Sequence, residues 1–374
     1  MKMEIMWTID KDKSWQHLHD TWYWVSRMED VPQDPHHHAE GDVAIHTRMV
    51  LAALEQLPAY QQLEPQQQEL LWAAALLHDV EKYSTTEILP DGHITSPGHA
   101  RRGEMTSRNI LYEEIPTPFF IREQIAKLVR YHGLPLWVFD KPDPIKALIS
   151  ASLDVDVRLL SILARADVLG RTCTDTADLL YRIDCFEALA KEQHCWGMSR
   201  NFATTAAKMN YFMKTNVDPD YVPYPEKGSR VIVMSGLPGS GKDTYVQRHF
   251  KDMPMVSPDE IRRKHGIAPT DKSGNGTVIQ EAKEQAKVYL RQGKDFVWNA
   301  TNITRQMREQ LVGLCMTYHA EVKIVYVEVP AAVLFAQNKQ REYAVPEKAL
   351  HQLIRKLEVP SLTEAHEVEY IVSP

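Results

Sequence analysis

The chain lacks the features that indicate an oxidised compartment or a membrane. Its 4 cysteines in 374 residues form no CxxC pair, which argues against a disulfide framework and against a thiolate zinc site. No stretch approaches the roughly 20 apolar residues that cross a bilayer. The first 19 residues also lack the apolar core of a secretory signal. We therefore expect a cytoplasmic protein with no membrane partner.

The sequence also lacks an excess of positive charge. The formal net charge is -7, so the protein is not one that coats nucleic acid by bulk charge. The charge is unevenly distributed, because residues 228–374 carry 20 Lys and Arg against 17 Asp and Glu, whereas the residues before them carry 23 against 33. The acidic part favours metal binding, and the mildly basic part favours contact with phosphates.

The first part of the chain has the texture of a helical domain. Apolar residues recur at helical spacing in Leu70–Val80, Arg122–His132 and Val155–Gly170, and alternating β-rich stretches are missing. The sequence therefore predicts an all-α domain over residues 1–214.

A proline-rich segment separates this domain from a different pattern. Residues 215–229 contain Pro219, Pro223 and Pro225, which break helices and strands, so this segment is predicted to be a linker. Beyond it, short β-branched runs such as Val231–Met234 and Val322–Val329 alternate with helical segments. This alternation predicts an α/β domain with a parallel sheet over residues 230–374.

A phosphate-binding motif follows the first of these runs directly. Glycines at fixed spacing let backbone N–H groups surround phosphate oxygens, and the lysine that ends the motif reaches the β and γ phosphates. The motif predicts binding of ATP or another NTP together with Mg²⁺. The nucleotide-binding residues that it predicts are Gly236, Gly239, Ser240, Gly241, Lys242, Asp243 and Thr244.

The motif departs from the usual pattern at two positions. Asp243 stands where a Ser or Thr usually holds Mg²⁺, and the run Phe296–Trp298 is followed by Asn299 rather than by a carboxylate. At the sequence level the candidates for holding the metal are Thr244, Asp259 and water molecules.

A carboxylate and a guanidinium follow the second run at a spacing of three residues. At the start of a helix this spacing puts Asp259 and Arg262 on one face. The pair is either a general base with a phosphate-binding arginine, or a surface ion pair without a catalytic role. With the GLPGSGKDT loop and the segment 299–302, the pair resembles the polynucleotide 5′-kinase family of P-loop phosphotransferases. The resemblance implies that Asp259 is the general base for a 5′-hydroxyl, that Arg262 binds an acceptor phosphate, and that Arg341 is a lid residue on the donor phosphates, helped by Lys339.

Histidines and aspartates are dispersed over the predicted helices of the first domain. The dipeptide His78-Asp79 lies in an apolar helix, where its burial is costly unless it is paired or bound to metal. With its companions it forms the order H…HD…H…H…D, which resembles the HD phosphohydrolase superfamily with two metals. The resemblance implies one metal on His46, His78, Asp79 and Asp167, with Asp79 bridging to a second metal that is completed by His99 and His132.

This ligand set suits several metals. Imidazole and carboxylate ligands bind Mn²⁺, Ni²⁺, Co²⁺, Fe²⁺ and Zn²⁺, and a pair of such ions activates water and stabilises both oxygens of a phosphoester displacement. Lys82, one helical turn after His78, is placed for a substrate phosphate. The run His36–His38 is either an exposed loop or a flap near the metals.

The two halves in this order resemble the bifunctional bacterial HD phosphohydrolase–polynucleotide kinases. The resemblance implies healing of RNA or DNA ends: the first domain removes a 2′,3′-cyclic, 2′- or 3′-phosphate, and the second phosphorylates the 5′-hydroxyl, giving ends that a ligase seals. Two alternatives stay open from the residues alone. One is an HD nucleotidase fused to a kinase of nucleosides or small molecules, and the other is an HD hydrolase regulated by an ATP-binding P-loop domain.

Overall fold

A computed structural model describes residues 6–224, 228–268 and 271–373. The chain divides into two compact units, Met1–Arg200 and Asn201–Pro374. Within the described ranges, no helix combines the length and the apolar character needed to cross a membrane.

The first unit is almost entirely helical, as the sequence predicts. A two-stranded antiparallel hairpin, β1 (Glu87–Ile88) with β2 (Ile94–Thr95), is its one addition to helices among the described residues. A π-helix (Ile110–Glu114) and a 3-10 helix (Val138–Asp140) continue two of the α-helices. The α-helices are α1 (Trp15–Thr21), α2 (Tyr23–Ser26), α3 (Val43–Gln56), α4 (Pro58–Gln61), α5 (Pro65–Leu77), α6 (Lys82–Thr85), α7 (His99–Asn109), α8 (Phe119–Tyr131), α9 (Leu134–Trp137), α10 (Pro144–Asp154), α11 (Val157–Leu169) and α12 (Thr176–Glu192).

Helix α5 is the centre of this unit. Every residue from Leu70 to Leu77 is buried, so the helix is apolar on all sides and packs against α3, α8 and α11. The helix ends at Leu77, and His78 and Asp79 follow it directly as buried residues. Asp42 caps α3 by accepting a hydrogen bond from the backbone N–H of Ile45.

The second unit is an α/β domain with a parallel sheet, as predicted. Its five strands lie in the order β4-β5-β3-β6-β7, and all neighbours are parallel. The strands are β3 (Arg230–Ser235), β4 (Met255–Val256), β5 (Phe296–Trp298), β6 (Glu321–Glu328) and β7 (Glu367–Val372). The helices are α13 (Thr205–Met213), α14 (Lys242–His249), α15 (Pro258–Lys264), α16 (Lys272–Arg291), α17 (Arg305–Met316), α18 (Ala331–Lys339) and α19 (Glu347–Arg355).

Strand β3 is the middle strand and is buried on both faces. Val231 and Val233 point into one apolar cluster, and Ile232 and Met234 point into another. Two buried faces explain why the strand is a continuous apolar run rather than an alternating one. The carboxyl end of β3 leads directly into the glycine-rich loop.

The division between the units precedes the predicted linker. Helix α13, which the sequence analysis assigns to residues 1–214, belongs to the second unit, because Met209 packs in the apolar cluster of the sheet domain. Residues 225–227 of the predicted linker lie outside the described residues.

Candidate functional site

The predicted metal ligands of the first unit come from five helical segments and meet at one point. His46 is on α3, His78 and Asp79 follow α5, His99 opens α7, His132 follows α8, and Asp167 is on α11. All six are buried except His99, whose side chain is 24% exposed. The centre is therefore accessible on the His99 side.

Asp79 lies between two pairs of imidazoles. Its Oδ2 is 3.2 Å from His78 Nε2 and 3.8 Å from His46 Nε2. Its Oδ1 is 3.5 Å from His99 Nε2 and 3.9 Å from His132 Nε2. Each oxygen of this carboxylate thus faces its own pair of ring nitrogens, which is the arrangement of a carboxylate that bridges two ions. His46 Nε2 also lies 3.1 Å from Asp167 Oδ1.

Backbone carbonyls fix the orientation of three of these rings. The Nδ1 atoms of His78, His99 and His132 lie 2.7 to 2.8 Å from the carbonyl oxygens three residues before them. An Nδ1–H that donates to a carbonyl leaves the lone pair of Nε2 pointing at Asp79. Burial and the neighbouring His99 lower the pKa of His132 to about 3, so its ring is neutral.

The inward-facing atoms of this cluster fit a divalent metal. The Nε2 atoms of His99 and His132 face each other at 3.3 Å. Because the Nδ1 atom of each ring donates to a backbone carbonyl oxygen, both Nε2 atoms are acceptors and cannot form a hydrogen bond with each other. His46 Nε2, His78 Nε2 and Asp79 Oδ1 are buried and have no hydrogen-bond partner in the described part of the chain. Buried acceptors of this kind are costly unless a cation satisfies them. Neutral imidazoles and carboxylates are suitable ligands for divalent transition metals.

Two cations flank the cluster. Arg171 binds both oxygens of Asp167, and it holds the pKa of this carboxyl well below its usual range even though burial acts to raise it. Lys82 Nζ lies 2.8 Å from Asp79 Oδ2 and donates to Gln33 Oε1 at 2.7 Å. The sequence places Lys82 for a substrate phosphate, and in the structure it contacts the carboxylate of Asp79.

In the second unit, the loop after β3 has the backbone of a phosphate cradle. Gly236, Gly239 and Gly241 have φ angles of 142°, 87° and 98°, which residues with a Cβ rarely adopt. A Cβ at Gly236 would lie 2.4 Å from the carbonyl oxygen of Val327 on β6. The loop then opens α14 at Lys242, so backbone N–H groups at the helix start are directed to an anion.

Lys242 closes over this loop. Its Nζ donates to the carbonyl oxygens of Gly236 at 2.9 Å and Leu237 at 2.8 Å. Burial lowers the pKa of Lys242 to about 8, and the charge of Arg341 acts in the same direction. Arg341 lines the same cleft and its Nη1 is buried without a hydrogen-bond partner among the described residues. A guanidinium with one buried nitrogen that lacks a partner, in the cleft that the lysine also lines, favours an anionic ligand. Lys339 is exposed.

The two unusual positions of the motif are in contact. Asn299, just after β5, donates from Nδ2 to Asp243 Oδ1 at 2.7 Å. Asn299 is buried, whereas Asp243 is exposed in the cleft. Strand β5 pairs with β3, so its carboxyl end lies beside the glycine-rich loop.

The pair on α15 faces the same cleft. This cleft has a volume of about 950 Å³ and is lined by Lys242, Asp243, Asp259, Arg262 and Arg341 among others. Arg262 Nη1 donates to Asp259 Oδ1, and its Nε donates to Asn275 Oδ1 at 2.8 Å. The carboxylate of Asp259 is 51% exposed and the Arg262 side chain 21%. One cavity thus contains a cradle for a phosphate chain and a carboxylate–guanidinium pair.

Comparison with known families matches both halves. Residues 43–170 match the HD domain family, and residues 231–360 match AAA_33, an AAA domain family. The first range contains all six clustered ligands, and the second contains the glycine-rich loop. The chain joins an HD domain to a P-loop kinase-like domain. These two domains support an enzyme with hydrolase and phosphotransfer activity, a divalent metal in the HD domain, and a nucleotide with Mg²⁺ in the P-loop domain.

Individual relatives cover only part of the chain. A multifunctional CCA protein from Methylococcus capsulatus is 36% identical over 110 residues, which are 29% of this chain and 23% of that protein. A second, from Halorhodospira halophila, is 36% identical over 109 residues, with the same coverage of both. The match thus spans about a quarter of the length of these relatives. A putative kinase structure from Chloroflexus aurantiacus has 18% identity and a TM-score of 0.34, covering 39% of this chain and 86% of that chain. A sugar kinase structure from Janibacter sp. HTCC2649 has 19% identity and a TM-score of 0.30, covering 39% and 87%.

A glutamate that the sequence analysis does not identify supports the HD cluster. Glu40 is 2% exposed at its side chain, and its Oε1 lies 2.8 Å from His46 Nδ1 and 2.9 Å from His38 Nδ1. Burial acts to raise its pKa, but contacts with His46, Thr172 and His38 lower it to about 2. Glu40 is therefore ionised and orients His46. Of the run His36–His38, the third residue lies beside His46 with its side chain mostly buried, and the first two are exposed.

A buried ion pair supports the cleft of the P-loop domain. Arg308 is fully buried, binds both oxygens of Glu364, and donates to the carbonyl oxygen of Asn302 at 2.9 Å. Asn302 in turn donates to the carbonyl oxygen of Met234 at the end of β3 at 2.7 Å. The segment 299–302 is thus fixed to the strand that carries the glycine-rich loop. The separation of Arg308 from Glu364 in the sequence leaves no local signal of this pair.

Proposed function

We propose that the chain heals nucleic-acid ends. The P-loop domain transfers a phosphoryl group from an NTP to a polynucleotide 5′-hydroxyl, and the HD domain removes a 2′,3′-cyclic, 2′- or 3′-phosphate. The observation that carries the proposal is the single cleft in which Asp259 and Arg262 face Lys242 and Arg341. A cradle alone would serve any NTPase, whereas a carboxylate beside a guanidinium adds a position for an acceptor that carries both a hydroxyl and a phosphate.

The ion pair on α15 suggests how an acceptor is recognised. Arg262 is bound by Asp259 and Asn275, so a phosphate that binds Arg262 must compete with Asp259 for the guanidinium. An acceptor phosphate that succeeds releases Asp259 to accept the proton of the adjacent hydroxyl. Because the carboxylate of Asp259 is half exposed, the hydroxyl reaches it without rearrangement of the helix. A nucleoside without a phosphate leaves the ion pair intact and is the poorer acceptor.

Lys242 and Arg341 act on the donor side of the same cleft. Lys242 releases its two loop carbonyls and binds the phosphate chain, and the buried Nη1 of Arg341 gains a partner from the same phosphates. Both cations stabilise the charge that the transferring phosphoryl group carries. Mg²⁺ supplies further charge neutralisation between the β and γ phosphates.

In the HD domain, the arrangement around Asp79 supports a two-metal hydrolase. We assign His46, His78 and Asp79 to one ion, with Asp167 beside His46 as its fourth ligand, and Asp79, His99 and His132 to the other. When bound by these residues, a pair of divalent ions would supply activation of a water molecule and stabilisation of the attacking and leaving oxygens of a phosphoester. The partly exposed His99 marks the side from which a terminal phosphate enters. Lys82 contacts Asp79 and is the cation that a phosphate at this centre would meet.

The two activities are complementary in chemistry. Transesterifying cleavage of RNA leaves a 2′,3′-cyclic phosphate on one fragment and a 5′-hydroxyl on the other. A chain with both domains converts the pair into a 3′-end without phosphate and a 5′-phosphate, which are the ends that a ligase joins. A ligase is therefore the expected downstream partner.

The acceptor preference of the P-loop domain tests the proposal. We expect kcat/KM to rise from nucleoside to nucleoside 3′-phosphate to 5′-hydroxyl oligonucleotide, and we expect Arg262→Gln to reduce the preference for phosphate-bearing acceptors while ATP affinity is kept. Arg305→Gln, an exposed arginine outside the cleft, is the control. A nucleoside or sugar as the best acceptor would indicate a small-molecule kinase. ATP hydrolysis without transfer to any acceptor would indicate a regulatory nucleotide switch.

A further inference from the structure

The P-loop domain carries a carboxylate in the glycine-rich loop, where the usual motif has a hydroxyl, and an amide at the strand end, where the usual motif has a carboxylate. In P-loop enzymes a Ser or Thr after the lysine and an Asp at the end of a neighbouring strand hold Mg²⁺. In this chain, the residue after Lys242 is the carboxylate Asp243, and the neutral Asn299 stands at the end of β5. The two positions are 56 residues apart in sequence, and their side chains form a hydrogen bond of 2.7 Å.

The Asp243–Asn299 pair has the same net charge as the usual pair of residues at these two positions. A hydroxyl with a carboxylate has one negative charge, and so does a carboxylate with an amide. In this chain the negative charge is on the loop residue, whereas in the usual motif it is on the strand-end residue. The two residues are joined by one hydrogen bond. Carboxylate and amide oxygens are both hard ligands suited to Mg²⁺. Because Asn299 is buried and donates to Asp243, it also fixes the direction of the carboxylate in the cleft.

The other two candidates are less well placed. Thr244 also lines the cleft, but it is the next residue on α14, so its side chain projects about 100° around the helix from Asp243 and from the contact with Asn299. Asp259 already has its charge compensated by Arg262. Asp243 is hydrogen-bonded to the neutral Asn299, and its exposed carboxylate lines the cleft next to Lys242.

We propose that Asp243 and Asn299 are an exchanged Mg²⁺-binding pair, in which the loop supplies the carboxylate ligand and the strand end supplies the positioning residue. The proposal rests on nucleotide binding at the glycine-rich loop. It names the residues that couple nucleotide affinity to Mg²⁺, and it is independent of which acceptor the enzyme phosphorylates.

A double-mutant cycle on nucleotide binding tests this exchange. The variants are Asp243→Thr, Asn299→Asp and the double variant, which restores the usual arrangement. The measurement is the Kd of ATP, by calorimetry, with saturating Mg²⁺ and with EDTA. We expect wild type to bind ATP more tightly with Mg²⁺, Asp243→Thr to lose at least about tenfold of this enhancement, and the double variant to recover most of it.

The control is Asp252→Thr, which removes an exposed carboxylate outside the cleft and keeps the full enhancement. Unchanged affinity in EDTA shows that Asp243→Thr leaves the loop folded. The inference is overturned if Asp243→Thr keeps the Mg²⁺ enhancement, or if the double variant is no better than Asp243→Thr. It is also overturned if wild type binds ATP equally with and without Mg²⁺. A wild-type protein that binds no nucleotide contradicts instead the proposed kinase function.

Discussion

Replacing Glu40 with Gln is expected to weaken metal binding in the HD domain without touching a ligand. Its Oε1 faces the Nδ1 of His46 and its Oε2 accepts a hydrogen bond of 2.8 Å from the backbone N–H of Thr172. The carboxylate thus accepts from Thr172 with one oxygen and presents the other to the His46 ring nitrogen at 2.8 Å. The amide of Gln has one oxygen and one NH₂ group, so in either orientation its NH₂ group faces a donor, which is either the Nδ1–H of His46 or the backbone N–H of Thr172.

The size of the effect follows from that mismatch. An unsatisfied buried donor costs about 1–3 kcal/mol, and loss of an outer partner of a metal-binding histidine costs about 10- to 100-fold in metal affinity, or about 1.4–2.7 kcal/mol. We therefore expect Glu40→Gln to weaken Mn²⁺ binding by about 10- to 100-fold. Titration against a chelator of known affinity measures this change. Because the pKa of Glu40 is about 2, the wild-type carboxylate is ionised throughout the neutral range in which the titration is made.

Glu192→Gln is the matched control, since Glu192 is exposed at the end of α12. It is expected to bind metal as wild type does. A Glu40→Gln variant with wild-type metal affinity would refute the conclusion that Glu40 orients His46 for a metal.

Three further predictions concern the P-loop domain. Gly236→Ala places a Cβ 2.4 Å from a strand carbonyl oxygen, so calorimetry should show loss of ATP binding with normal metal content. Gly313→Ala, where a Cβ meets open space in α17, should instead raise the free energy of unfolding by about 0.5–1 kcal/mol. Normal ATP binding by Gly236→Ala, or a lower free energy of unfolding in Gly313→Ala, contradicts this geometry. Arg308→Met leaves Glu364 buried and unpaired and should lower the free energy of unfolding in urea by about 3–5 kcal/mol, and a loss under about 1 kcal/mol would contradict the buried ion pair. Burial lowers the pKa of Lys208 from 10.5 to about 8, so between these pH values the unfolded state binds more protons and stability rises with pH. Lys208→Met lacks this rise. We therefore expect the Tm of its P-loop domain, identified as the unfolding transition that ATP shifts, to exceed the wild-type Tm by less at pH 10 than at pH 7. A Tm difference that is the same at both pH values contradicts the burial of the Lys208 charge.

The fold class was predictable because each half has a repeating local signal. Leu70–Leu77 is apolar at every position, which indicates a buried helix, and short β-branched runs alternate with helices after residue 230. The clustering of His46, His78, Asp79, His99, His132 and Asp167 was predictable from their order and their resemblance to the HD superfamily. The glycine-rich loop was predictable because its spacing dictates its backbone.

The remaining features depend on contacts between distant residues. Glu40 precedes α3 in a polar loop and gives no periodic signal, and its role appears only where the loop folds against His46. The pairing of Asp243 with Asn299 requires the order of strands in the sheet, which local patterns do not specify. Helix α13 looks like any other amphipathic helix, and only Met209 in the second core assigns it to the sheet domain.

The most direct test of end healing reads both ends of one RNA in a single reaction. A short RNA with a 5′-hydroxyl and a 2′,3′-cyclic phosphate is incubated with ATP, Mg²⁺ and Mn²⁺ and analysed by mass spectrometry, using wild type, Lys242→Ala and Asp79→Ala. We predict that wild type adds a 5′-phosphate and removes the cyclic phosphate, that Lys242→Ala loses only the first step, and that Asp79→Ala loses only the second. Consumption of ATP by wild type with both RNA ends unchanged would contradict the proposed function.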